Sequence, residues 1–142
     1  MMDRCLKAAC AHSDEKARFS LEGSVVTIVW PKSGRGHEVR WEHDASRDSL
    51  VLRAIVARAG QILSLRDADL ARILLQQNRA TRVVSFRRVA RWGRVEATVV
   101  CRASTVSPAE LRFYLLVLAR EADRLEFLLT GADAPLSGAS RG

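Results

Sequence analysis

The stretch that decides the fold is residues 107–130, SPAELRFYLLVLAREADRLEFLLT. It opens on Ser107-Pro108-Ala109-Glu110, in which the serine suits the N-cap, the proline the first turn and the glutamate a hydrogen bond back to the cap. Leucines then recur at helical spacing, so we predict one long helix that runs to about Thr130. Its main apolar stripe has the width that packing against a sheet requires. The members of this stripe are Leu111, Tyr114, Leu115, Leu118, Ala122, Leu125 and Leu129.

A second set of side chains lies on the opposite side of the same helix. Its apolar area is larger than a solvent-facing surface usually carries, and two arginines lie within it. The set is either buried within the chain, under the N-terminal arm or a loop, or it binds a second subunit or an apolar peptide. On a two-fold interface the arginines would meet acidic side chains of the other copy. The candidate interface residues are Phe113, Leu116, Val117, Arg120, Arg124, Phe127 and Leu128.

Three strands are predicted in the first half of the chain. Residues 24–30 are rich in β-branched side chains, and residues 31–36 are turn residues, which together indicate a strand and a hairpin loop. Residues 38–42 alternate between apolar and charged side chains, the pattern of a strand with one buried face. The nearly continuous apolar run of residues 50–57 is typical of a central strand. We therefore predict an antiparallel meander.

A helix and a second hairpin follow the meander. The helix is predicted at about residues 66–77, with Asn78 as its C-terminal cap. Residues 83–91 and 94–102 are strand-like, and Trp92-Gly93 between them suits a two-residue turn. In this register Ala90, Arg88, Phe86 and Val84 lie opposite Val95, Ala97, Val99 and Cys101.

The predicted order is a weak helix, three strands, a helix, two strands and a long helix, or (α)βββαββα. This order indicates an α+β fold with a five-stranded antiparallel sheet. We expect residues 1–18 to form a weak helix or arm, residues 19–130 a single domain and residues 131–142 a disordered tail. The length of 142 residues and the apolar content of 48% fit one core. A five-stranded sheet has two edges, each of which is either protected or able to accept a strand from a partner.

The net charge of +7 is concentrated between residues 51 and 102. One face of the second hairpin carries four arginines and only Glu96, and we expect this face to be exposed. Its arginines could follow a phosphate backbone while the indole at the tip stacks on a base. The general bias of the chain towards arginine favours the simpler interpretation of solvated charge. The candidate anion or nucleic-acid contacts are Arg87, Arg91, Trp92, Arg94 and Arg102.

No residues have the spacing of a catalytic or metal site. Cys5, Cys10 and His12 lack the usual thiolate spacing and a fourth ligand, and His37 and His43 have no carboxylate or nucleophile at motif spacing. We therefore expect no enzymatic activity, no metal and no cofactor. The odd count of three cysteines indicates a reducing compartment. No apolar run is long enough to span a membrane, so we expect a cytoplasmic protein without membrane partners.

The order of elements from Leu70 to Leu129 resembles the type III secretion chaperone-like fold and, within it, the YbjN-like family. The resemblance rests on three segments. These are Leu74-Leu75-Gln76-Gln77-Asn78 at a helix end, the hairpin from Val84-Ser85-Phe86 to Gly93-Arg94-Val95-Glu96-Ala97, and Ser107-Pro108-Ala109-Glu110-Leu111 at the start of the last helix. The resemblance implies a chaperone-like or regulatory homodimer that binds a protein or peptide segment and is not an enzyme. A nucleic-acid-binding accessory protein that uses the hairpin of residues 82–102 is the alternative.

Overall fold

The structure is a computed structural model that describes residues 2–11, 13, 16–89, 91 and 93–131. These residues form three α-helices, two short 3-10 helices and six strands. The bounds are α1 Met2–Ala9, β1 Arg18–Glu22, β2 Val25–Trp30, β3 Arg35–Asp44, β4 Ser49–Ala57, α2 Asp67–Ala80, β5 Ser85–Val89, β6 Arg94–Arg102 and α3 Pro108–Thr130. The α+β class and the long final helix are therefore confirmed. The tail predicted for residues 131–142 lies, except for Gly131, outside the described residues.

The prediction of five strands is wrong, because β1 adds a sixth. β1 pairs antiparallel with β2, and Arg18 lies opposite Val29. Only Phe19 and Leu21 of β1 are apolar and at least partly buried. Two apolar side chains between charged neighbours are too few for a recognisable alternation. A tight turn follows β1, in which Gly23 adopts a φ of +57° that other residues rarely adopt.

All strands pair antiparallel in the order β1-β2-β3-β4-β6-β5, so β1 and β5 are the edges. The predicted register of the second hairpin is wrong by two residues. Phe86 lies opposite Ala97, whereas Val99 was predicted there. The cause is a longer turn, in which the Gly93 N–H donates to the Val89 carbonyl at 2.7 Å. A shift of two residues keeps each side chain on its predicted face.

The core lies between one face of the sheet and α3. α3 packs on β3, β4 and β6, and α1 packs on α3. The predicted apolar stripe of α3 is confirmed, with Tyr114 and Leu129 only partly buried. Its fully buried members are Leu111, Leu115, Leu118, Ala122 and Leu125. α1 contributes the fully buried Leu6, and burial of a leucine, worth about 1.5–3 kcal/mol, explains how so short a helix persists.

α2 contacts the edge strand β5. The prediction that Asn78 caps this helix is wrong, because α2 continues to Ala80. The Asn78 side chain instead donates to the Phe86 carbonyl at 2.9 Å and accepts from the Phe86 N–H at 2.7 Å. Because these two backbone groups face away from β6, Asn78 occupies the positions that an added strand would need. No helix of the described residues is long and apolar enough to cross a membrane.

Candidate binding groove

A groove of about 450 Å³ lies between the tip of the β2–β3 hairpin and the second half of α3. The contributions of α3 recur at i, i+3, i+4 and i+7, the spacing of one helix face. The lining residues are Trp30, Ser33, Arg35, Arg120, Asp123, Arg124 and Phe127. The structure thus brings together three residues of the predicted interface, Arg120, Arg124 and Phe127. Trp30 and Arg35 were not predicted as part of a site.

The hairpin side of the groove is positioned by a tight turn. Ser33 and Gly34 donate their N–H groups to the Trp30 carbonyl at 3.2 and 2.9 Å. Gly34 adopts a φ of +72°, which is unfavourable for residues with a Cβ. Trp30 and Arg35 are register partners across the hairpin, so their side chains enter the groove side by side.

The charges of the groove are partly neutralised within the protein. Arg35 forms an ion pair with the buried carboxylate of Asp123. Arg124 donates to Glu121 Oε2 and to Gln77 Oε1 of α2, both at 2.7 Å. Within the part of the chain that the structure describes, the exposed Arg120 side chain makes no hydrogen bond or ion pair. Arg120 is therefore the cation of the groove that is left for a ligand.

A buried polar cluster lies behind the groove. Ligand-type atoms of His37, Asp123 and Glu126 lie within 4.8 Å of one another, and these residue types bind zinc in other proteins. The Asp123 carboxylate already pairs with Arg35, and His37 Nε2 lies 2.7 Å from the Ile55 carbonyl. A metal ion here would also face the guanidinium of Arg35. We therefore interpret the cluster as an ionic contact that fixes α3 on β3.

Sequence reasoning missed this cluster because its members lie far apart along the chain. His37 was considered only as a histidine without a carboxylate or nucleophile at motif spacing, and Asp123 was not predicted as part of a site. The available signal was a pair of acids, Asp123 and Glu126, directly beside the buried Ala122 and Leu125 of α3. Acids at buried positions of a helix require a cationic or hydrogen-bonding partner.

The remaining residues of the predicted interface are divided between core and surface. Leu116 and Val117 are half-buried and pack against the core, which fits the alternative of burial within the chain. Phe113 and Leu128 are 53% and 56% exposed. These two side chains are the part of the predicted set that remains accessible outside the groove.

The arginine hairpin differs from its prediction at Glu96. This residue was expected on an exposed face, but it is only 3% exposed. Arg94 Nη2 lies 2.6 Å from Glu96 Oε2, and the partly buried Arg94 side chain helps to cover the carboxylate. Three candidate contacts are exposed, namely Arg87, Arg91 and Arg102. Trp92 lies outside the described residues.

The cysteines are poorly suited to nucleophilic chemistry. Burial raises the pKa of Cys101, and the nearby Cys5 and Glu110 raise it further. Burial is also the main cause of the raised pKa values of Cys5 and Cys10. Because the thiolate is the reactive form, the raised pKa values disfavour nucleophilic chemistry at these thiols.

The two edges of the sheet differ in their accessibility. The Phe19 N–H donates to Ser13 Oγ at 3.0 Å, so it points away from β2, and by alternation Leu21 directs its N–H to the same side. No strand of the described residues pairs with this side of β1. Since Arg18 lies opposite Val29, Trp30 is one residue beyond the start of β1. The outer edge of β1 therefore starts at the same end of the sheet as the groove, which is lined from β2, β3 and α3.

No family model matches this chain. No curated protein sequence matches it either. Among solved structures, a chain of the ExsC–ExsE complex is similar at 18% identity with a TM-score of 0.61, covering 92% of this chain and 95% of that one. A chain of the HopA1–SchA chaperone–effector complex is similar at 11% identity with a TM-score of 0.57, covering 92% and 94%. These likenesses support the type III secretion chaperone-like fold. Membership of the YbjN-like family stays a prediction.

Proposed function

We propose that this protein is a non-enzymatic, chaperone-like or regulatory protein that binds an extended segment of another protein. The observation that carries the proposal is the outer edge of β1, where Ser13 occupies the N–H of Phe19 while the N–H of Leu21 faces the side on which no described strand pairs. This edge lies at the same end of the sheet as a groove with two aromatic side chains, Trp30 and Phe127. Backbone hydrogen bonds at a sheet edge provide affinity for an added strand, and adjoining pockets provide selectivity. The opposite edge is less suitable, because Asn78 occupies the outward backbone groups of Phe86.

The structural neighbours support a protein partner. Both were solved as complexes, one of ExsC with ExsE and one of a chaperone with its effector. Nucleic-acid binding has less support from the hairpin, since Glu96 already pairs with one of the candidate arginines. A row of free cations is what a phosphate backbone requires.

Homodimerisation is a second part of the proposal. Phe113 and Leu128 are large apolar side chains that remain exposed on α3. A second copy that covers both would remove this apolar area from water. The groove and this surface share the helix, but they use different residues.

The test of segment binding compares the two edges. The probe is a phage-displayed library of random peptides of about ten residues, enough to extend along β1 and reach the groove. Proline lacks the N–H that an added strand would bind, and it is tolerated at outward positions of edge strands. Leu21→Pro should therefore weaken the binding of the selected peptides roughly fivefold, as measured by fluorescence anisotropy.

The matched control is Arg88→Pro, which changes an outward position of the closed edge β5. We expect it to leave peptide affinity unchanged, and circular dichroism checks that both variants fold. The proposal is wrong if no peptide is enriched over a protein-free surface. It is also wrong if Arg88→Pro, and not Leu21→Pro, removes binding.

A further inference from the structure

We propose that the groove selects segments in which an aspartate or glutamate is next to an aromatic or large aliphatic residue. This inference rests on the proposed function, because it names the chemistry of the segment that β1 would bind. The acidic side chain would pair with Arg120, and the apolar side chain would pack between Trp30 and Phe127.

Within the described part of the chain, the groove has one positive charge without an acidic partner, which a single carboxylate of a ligand could neutralise. Asp123 neutralises Arg35, and Glu121 neutralises Arg124. One cation, Arg120, is left without an acidic partner among the described residues. A guanidinium forms its strongest hydrogen bonds with a carboxylate and often does so through two parallel bonds. An acidic residue in the bound segment would give Arg120 the ion-pair partner that Arg35 and Arg124 already have.

The apolar walls of the groove require a second feature in the segment. Phe127 is 53% exposed, and Trp30 is half-buried on the facing hairpin. Water against these rings is displaced favourably by an apolar side chain. The volume of about 450 Å³ lies in the lower part of the range for ligand pockets, and it suits one or two side chains.

The register of the sheet indicates at which end of the bound segment the acidic residue should lie. β1 begins at Arg18 opposite Val29, and Trp30 is the next residue of β2. Strand residues advance about 3.3 Å each. A segment paired with β1 would lie two strand spacings, about 10 Å, from β2. It would therefore have to turn across the end of β1 and would need about three or more residues beyond the position that faces Arg18 to reach the groove. The acidic and apolar pair is expected at that end of the segment.

A nucleic acid is the rival ligand, because arginine and aromatic side chains also bind phosphates and bases. The groove has one uncompensated cation and a carboxylate in its wall. A phosphate backbone gains affinity by contact with several cations in a row, which this site does not offer. We therefore commit to an acidic protein segment and make oligonucleotide binding an outcome of the test.

The experiment repeats the library selection with three proteins: the wild type, Arg120→Gln, and Arg79→Gln as a control at an exposed position of α2 outside the groove. The wild type and Arg79→Gln should enrich peptides with an acid beside an apolar residue. Arg120→Gln should still enrich apolar residues but lose the preference for the acid. For an enriched peptide, replacement of its acid by the amide should weaken binding to the wild type roughly tenfold.

The amide replacement should make no difference for Arg120→Gln. High salt should reduce the preference for the acid, since the Arg120 side chain is exposed. If peptides are enriched and depend on Leu21 but show no acidic preference, the groove inference is wrong while segment binding stands. If no peptide is enriched, both fail. A single-stranded oligonucleotide that binds more tightly than every peptide and depends on Arg120 would also overturn the inference.

Discussion

Asn78 provides the sharpest test of how the sheet edges are controlled. Its amide makes two hydrogen bonds with the Phe86 backbone, at 2.9 and 2.7 Å. Each such bond contributes about 1 kcal/mol net, so their loss in Asn78→Ala costs about 2 kcal/mol. Alanine is the better helix former by about 0.5 kcal/mol. The expected net destabilisation is therefore about 1.5 kcal/mol.

The assay is urea unfolding followed by circular dichroism, and a thermal melt should show a decrease in Tm of roughly 5 °C. The control is Gln76→Ala, an exposed position of the same helix. There the change to alanine should leave the stability equal or slightly higher, because only helix propensity changes. Asn78→Ala should lower the stability and Gln76→Ala should not, so the comparison distinguishes loss of the amide hydrogen bonds from a change in helix propensity.

A second measurement follows the backbone of β5 directly. Loss of the Asn78 amide should accelerate hydrogen exchange at the Phe86 N–H, whose acceptor is Asn78 Oδ1. If Asn78→Ala is as stable as Gln76→Ala, or if the exchange of Phe86 is unchanged, the amide does not protect this edge. The contrast between the protected edge β5 and the edge β1 would then lose its basis.

Two further predictions concern assembly and pH. Sedimentation should show the wild type as a dimer and a folded Phe113→Asp, Leu128→Asp double variant as a monomer; a variant that stays dimeric would exclude this interface. Hydrogen bonds from Ser104 are the main cause of the lowered pKa of Asp48. The stability that this carboxylate contributes is present above its unfolded pKa of about 3.9 and is lost as the pH falls through the lower folded value. Asp48→Asn should therefore make acid unfolding less steep, and an unchanged pH profile would show that Asp48 does not contribute.

Local signals explain which elements were predictable. The N-terminus of α3 was recognised because the Ser107–Glu110 capping box involves neighbouring residues, and the structure forms it. β1 was missed because its contacts are with distant or separately folded segments: it pairs with β2, and the guanidinium of Arg112 lies 4.3 Å from the centroid of the Phe19 ring. Such contacts between distant segments leave no periodic signal in the sequence.

The candidate site was predictable only on its helical side. An excess of apolar area on α3 indicated the set that includes Arg120, Arg124 and Phe127. The hairpin side, Trp30 and Arg35, depends on where α3 crosses the sheet, and the Arg35–Asp123 ion pair shows that crossing. No spacing within the sequence encodes it. The same limitation applies to Asn78, whose sequence context suits a helix cap.

In the proposed binding mode, the edge of β1 contributes affinity for a segment, and the groove contributes selectivity for its side chains. An accessible sheet edge is a risk for aggregation, and short strands with charged ends reduce that risk. β1 has only five residues and ends in Arg18 and Glu22, so its backbone alone would hold a partner weakly. Hydrogen bonds to the backbone do not distinguish side chains, whereas Arg120 and Phe127 do. Leu21→Pro should therefore weaken all bound segments alike, and Arg120→Gln should change which segments are preferred.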